Sequence, residues 1–244
     1  MKKYELTGET RKVGGHTLHR IRAMRDFGNV LKGDLGGWIE SESNLSQDGK
    51  CWVSGNAKVY GDAKVSGDAR VGGNAEVYDN ARVYGNAWVC GDVQVCGDAK
   101  VCGDAKVCGD VQVCGDAKVC GDAKVYGDAR VYGNAAVYGD AKVSGDARVG
   151  GNAEVGGNAE VCGNAEVGGD AHIATNADYA VYKNTWSSGR WITYTRSNKM
   201  WKAGCFHGTG DELVKKAYAD SELSGNCYKA IVEAQEYVDR VLRR

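Results

Sequence analysis

CGDVQVCGDAKVCGDAKV, residues 90–107, recurs without a change as residues 108–125. Inside this unit a shorter period is visible, V-x-G-D/N-A-x, and an aliphatic residue returns at every sixth position from residue 53 to residue 173. A period this strict marks a repeat architecture. Side chains alternate along a strand, so each Val and the Ala two residues before it point to one face while the residues between and after them point to the other. Gly followed by Asp or Asn then supplies a sharp turn. Each hexad is therefore a short strand plus a corner. One hexad cannot bury its apolar face alone, but hexads wound into coils and stacked as rungs build a continuous inner column of Val and Ala. The eighteen-residue duplication sets three hexads per coil. Val93 and Val111, which replace the small inner Ala, are also eighteen residues apart. The sequence thus predicts a mainly β, triangular parallel β-helix of seven coils, roughly 34 Å long at a rung spacing of ~4.8 Å.

The pairing of an inner aliphatic residue with a small one two positions earlier resembles the left-handed parallel β-helix proteins built of hexapeptide repeats. Handedness is implied by that resemblance alone, since parallel crossovers are normally right-handed. The opening KYELTGETRKVGGHTLHRIRAMRDFG, then GDLGGWIESESNLS and the hexads, is similar to an uncharacterised hexapeptide-repeat family of phage and prophage genomes. Some of its members are labelled transferases or polymer-forming proteins. This resemblance implies a fold and a genomic setting but no established reaction. Related β-helices form trimers by packing flat faces, so a homo-oligomer, with a trimer favoured, is implied as well.

Working outward, residues 1–34 read as an antiparallel β cap, residues 35–178 as the rod, and residues 179–244 as a small α+β unit. In the cap, residues 4–7, 10–13 and 17–23 read as strands, with Gly14-Gly15 as a hairpin turn. Leu35, Ile39 and Leu45 begin the coiling, and the eight-residue step from Leu45 to Val53 places a two-residue insertion at a corner, with Cys51 pointing inward. Such a cap is needed because an open solenoid end exposes unpaired strand edges. Beyond residue 179 the spacing predicts a three-stranded meander (residues 179–183, 191–195 and 199–206) and a helix opening at GTGDE. A final helix over residues 226–243 carries Ala230 or Ile231, Ala234, Tyr237 or Val238, and Val241 as its core stripe. Trp186, Trp191, Trp201 and Phe206 are the expected core of this unit.

Lys and Arg total 31 against 32 Asp and Glu, a net charge of -1, which predicts no nucleic-acid partner. Residues 51–178 hold 11 basic and 18 acidic groups, so the rod is acidic and both ends are mildly basic. No apolar run approaches eighteen residues and the amino end lacks a signal-peptide pattern, so no membrane contact is expected and the chain reads as cytoplasmic.

Stacking at eighteen pairs Cys90 with Cys108, Cys96 with Cys114, and Cys102 with Cys120, all pointing outward. In-register strands are expected to hold their Cβ atoms about a rung apart, wider than the ~3.8 Å a disulfide prefers, so a reduced ladder is the reading adopted. Cross-rung disulfides and a thiophilic metal are the alternatives. Tyr78, Tyr84, Tyr132 and Tyr138 share the outward slot with Cys96, Cys102, Cys114 and Cys120, and together these eight are the candidate ladder for subunit contact. Corner Asp columns such as Asp92, Asp110, Asp128 and Asp146 bring like charges together. Neighbouring lysines or structural calcium are the two possible remedies.

No cofactor, metal site or catalytic residue is assigned. Hexapeptide-repeat acyltransferases use a His general base near a loop excursion, whereas here His172 is the rod's sole histidine and no excursion exceeds two residues. Cys205, His207 and Cys227 match no strong zinc spacing, and Cys205 reads as a buried strand residue. GCFHGTGDE before a helix start is the best candidate for an anion site, which nominates Arg190, Arg196, Lys199, Lys202, His207 and Thr209 as ligand-binding residues. The function expected from sequence is a non-enzymatic, self-associating scaffold or binding module of phage type presenting a C-terminal head. A phage accessory protein that sequesters a small anionic metabolite or a host protein is the next reading, and an acyltransferase-like enzyme the third.

Overall fold

Inner Val and Ala residues from Ala57 to Ile173 are at most 2% exposed, and this dry column organises the computed structural model, which describes residues 2–242. Each short strand pairs in parallel with the one eighteen residues on, as in Val89 with Val107, Val107 with Val125 and Val95 with Val113. Three sheets result, one per side of the prism. Gly115 shows why the corner needs glycine: its φ is 75°, and a Cβ there would lie 3.0 Å from the Gly133 carbonyl oxygen on the next rung.

Coiling starts one turn earlier than the regular hexads. Ile39 pairs with Val59 and Leu45 bridges Val65, both twenty residues apart. Val53 and Val71 then restore eighteen, which places the two-residue insertion between Leu45 and Val53. Cys51 is buried, as its register requires, while Leu35 is 53% exposed and lies outside the column.

Both ends of the rod are closed by hydrogen bonds. At the amino end Tyr4–Val13 and His16–Ala23 form a hairpin, one continuous strand with an irregularity between Leu6 and Thr10 replacing the two segments expected there. This hairpin extends one face of the rod through Leu35–Ile39. Beside it, the fully buried Lys3 donates to the carbonyls of Asp48 (3.2 Å) and Cys51 (3.0 Å), and the Tyr4 hydroxyl donates to Leu45 O (2.6 Å). At the other end the last-rung N–H groups of Glu160, Glu166 and His172 donate to Asn176 Oδ1 (2.6 Å), Thr193 Oγ1 (2.8 Å) and Ser197 Oγ (2.7 Å). Each of the three faces thus receives one side-chain acceptor.

The reduced cysteine ladder is corrected by the structure: Cys90–Cys108, Cys96–Cys114 and Cys102–Cys120 are disulfides, each with Cα atoms 4.7 Å apart. That separation lies within disulfide range, and the side chains turn toward each other rather than staying parallel. No helix among the described residues is long and apolar enough to cross a membrane.

Replacing Lys3 with Met should leave two buried carbonyls unpaired and lower stability by about 1–3 kcal/mol, with a similar loss for Thr193→Val. The outward Ser66→Ala should change it by less than about 0.5 kcal/mol. Urea unfolding of the three variants, followed by circular dichroism, checks the ranking.

Candidate functional site in the C-terminal head

Four antiparallel strands stand where three were expected: Tyr179–Lys183, Trp191–Thr195, Met200–Ala203 and Phe206–Gly208. The third expected strand is broken by a turn at Gly204, whose φ is 59°, and Cys205 sits exposed in that turn. Helix α1 (Gly210–Asp220) and helix α2 (Glu222–Leu242) pack against the sheet. α2 starts earlier than expected, and its expected last residue, Arg243, lies outside the described residues. Ile192, Tyr194, Trp201, Leu213, Ala217, Tyr228 and Val232 make the core. Trp186 and Phe206 pack at its margin, whereas Trp191 is 40% exposed.

The buried face of α2 is not the expected one. Gly225, Tyr228, Val232, Gln235 and Asp239 turn inward, while Tyr237 (62% exposed), Val238 (41%) and Val241 (50%) face outward. The inward choice is decided by a polar cluster. Tyr182 donates its hydroxyl to Gln235 Oε1 (2.6 Å), and Gln235 Nε2 donates to Asp239 Oδ1 (2.8 Å). Arg196 Nε donates to the same Oδ1 (3.0 Å), and the Tyr194 hydroxyl donates to Asp239 Oδ2. Burial alone raises the Asp239 pKa, but hydrogen bonds from Tyr194, Gln235 and Arg196 outweigh it and hold the carboxyl below its usual range.

This cluster floors a cavity of about 360 Å³ whose walls include Trp201, Lys199, Thr209, Asp211, Glu236 and Arg240. Of the six candidate ligand residues only Lys199 and Thr209 line it. Arg196 is engaged with Asp239. Lys202 and His207 face each other across neighbouring strands. Arg190 borders a separate cavity of about 150 Å³ at the rod end, beside Asp146, Arg148 and Glu166. Thr209 caps α1: its hydroxyl accepts from Glu212 N (3.3 Å), and Glu212 Oε2 accepts from Thr209 N (2.8 Å). The helix start therefore carries its own carboxylate where an external anion would sit. Sequence reasoning missed Tyr194, Gln235, Asp239 and Arg240. Two spacings signal the cluster: Tyr194 and Arg196 share a strand face, and Gln235 and Asp239 are one helical turn apart.

Along the rod the ladder residues are largely satisfied within the chain. Tyr78 stacks on Tyr60 with centroids 5.3 Å apart, and the rings of Tyr132 and Tyr138 lie over Gly150 and Gly156. Tyr138 also donates to Glu154 Oε2 (3.3 Å). Tyr84 and Tyr132 remain 38% and 44% exposed, and Cys96, Cys102, Cys114 and Cys120 are in disulfides. The glutamates near the rod end pair one rung back, Glu160 with Lys142 and Glu166 with Arg148. His172 lies 3.4 Å from Glu154 in an exposed pair. Among the described residues no three His, Cys, Asp or Glu side chains converge on a common metal position.

Because Asp239 has a depressed folded pKa, the stability it contributes is present above its ordinary pKa of about 3.9 and is lost as pH falls through the folded value. Acid titration of tryptophan fluorescence should show the head loosening in that window. Asp239→Asn should lower stability at pH 7 by about 1–3 kcal/mol and flatten the acid limb.

The family comparison falls within the rod. A YdcK β-solenoid repeat model matches residues 75–91, 123–139 and 129–145. The chain is 38% identical over 61 residues to a protein of Escherichia coli (strain K12) described as the uncharacterized acetyltransferase YdcK. The matched stretch covers 22% of this chain and 19% of that relative, so the chain spans about a fifth of the relative's length.

Proposed function

We propose that the protein is a non-catalytic scaffold in which the rod holds the C-terminal head for protein contact and self-association runs through the outer face of α2. The exposed stripe carries this reading. Leu223, Tyr237, Val238 and Val241 are 41–62% exposed on one side of a helix whose opposite side is packed. Scattered apolar residues at a surface are ordinary, but a contiguous stripe of this kind is typical of a contact surface. Glu233 and Arg240 lie seven residues apart along the flank of the stripe. An antiparallel second copy would set each opposite the other's partner, which favours a copy of this chain as occupant. This reading moves self-association from the rod faces, whose Cys and Tyr columns are largely engaged internally, to the head.

An acyltransferase reading is favoured by the name of the E. coli relative, an uncharacterized acetyltransferase. It would require His172, beside Glu154, as the general base. The scaffold reading expects no acetyl-CoA turnover, and the same null result for His172→Ala.

Sedimentation analysis of the purified chain should show a self-associated species that Val238→Glu with Val241→Glu converts to monomer. Because both positions are exposed, the unfolding midpoint should move little. A wild-type monomer, or a variant that stays associated, would count against the proposal.

A further inference from the structure

The rod's three cysteine pairs belong to the same two coils, one pair per side of the prism, within the duplicated segment at residues 90–125. We propose that, once reduced, each pair binds one soft monovalent d10 cation of the copper(I) type between its two sulfurs, giving three sites per chain.

Distance is the first argument. Two Cα atoms 4.7 Å apart on in-register parallel strands set sulfurs about a rung apart, ~4.8 Å, when the side chains point straight out. Taking the zinc–thiolate length of about 2.3 Å as a guide, two metal–thiolate bonds in line span nearly the same gap. Rotating the side chains inward closes the same pair to a disulfide, so one backbone geometry serves both states.

Coordination number is the second. Structural zinc needs four ligands, and among the described residues no group of three or more His, Cys, Asp or Glu is placed to hold an ion. Two thiolates alone suit a soft cation that accepts linear coordination. Charge agrees at two of the three pairs. A bis-thiolate complex of a monovalent ion carries one negative charge, and Lys100 and Lys118 stand on the same outward face beside Cys102 and Cys120. Lys106 stands beside Cys108, with Trp88 beside Cys90, while Gln94 and Gln112 stand beside Cys96 and Cys114. Cations beside a cysteine favour its thiolate. Tyr126 occupies the next rung after Cys108, and the same register puts Tyr132 after Cys114 and Tyr138 after Cys120, with the rings of Tyr132 and Tyr138 turned onward over Gly150 and Gly156.

The chemistry balances in two steps. A small dithiol reductant converts RS–SR to two RSH as it becomes a disulfide itself. The two thiols then exchange two protons for one cation, giving [M(SR)2]−.

Silver(I), which is inert to further redox chemistry under these conditions, is the probe. The full-length chain is reduced, freed of reductant, titrated with silver nitrate and weighed by native mass spectrometry. Its reference is the variant with Cys90, Cys96, Cys102, Cys108, Cys114 and Cys120 all replaced by Ser, which keeps the other four cysteines. Serine already occupies this outward slot at Ser54, Ser66 and Ser144, so the reference should fold, and circular dichroism verifies that it does. The expected result is three more silver ions on the reduced wild type than on the reference, and two more on Cys96→Ser. Equal silver on wild type and reference, no loss on Cys96→Ser, or the same excess on the oxidised chain would each overturn the proposal.

Discussion

A parallel rung satisfies its backbone only through the rung above and the rung below, so the fold depends on what happens where the rungs stop. Each terminal strand presents N–H and C=O groups that template further strands. Here the amino end is closed by a buried ammonium, a phenol and a hairpin, and the carboxyl end by an asparagine, a threonine and a serine, one for each face. The identity of these groups follows from the vacancy each fills. Lys3 would be costly to bury if it met no acceptor, yet it meets two carbonyls and the Cys51 sulfur (3.1 Å). The cap and the head are therefore parts of the rod's hydrogen-bonding scheme as well as attachments to it.

The same register forces every outward residue beside its equivalent in the next coil. Columns of like charge repel by about 1 kcal/mol per contact even in water, and the chain answers with local substitutions. Asn56 donates to Asn74 and Asn74 to Asp92, so the first carboxylate of one corner column receives an amide donor. Asn134, Asn152 and Asp170 repeat the arrangement near the far end. Lys58 meets Glu76 at 2.6 Å, and Glu160 and Glu166 answer Lys142 and Arg148. The glutamates near the carboxyl end of the rod are thus one half of a set of cross-rung ion pairs.

The rod was legible because a single periodicity decides burial at every position, and the register of eighteen could be read from the duplication and from Val93 and Val111. The head was less legible because its burial is decided by polar partners. On α2 the aliphatic spacing at Ile231, Val238 and Val241 reads as a core stripe, but the face carrying Gln235 and Asp239 is the one that finds Tyr182, Tyr194 and Arg196. A hydrophobic pattern reports which residues avoid water and is silent on which polar residues have a reason to leave it. The candidate anion site dispersed for a related reason: nearness along the chain grouped all six residues, whereas in the sheet Lys202 and His207 pair with each other, Arg190 borders the rod end, and only Lys199 and Thr209 reach the head cavity.

Duplication explains how paired chemistry arises in such a rod. Copying one coil in register gives every residue a twin at 4.7 Å, whatever its type. For an inner Val the twin extends the core, and for a Lys it adds repulsion that the surroundings must screen. For a cysteine the twin creates a function that one copy lacks, because a single outward thiol is a weak ligand whereas two at this separation are either a disulfide or a two-point grip on a soft cation. Three outward cysteines in one coil, repeated in register, thus make three pairs, all on the same two rungs. Their coincidence on one belt follows from the geometry of stacking and needs no separate selection of six positions.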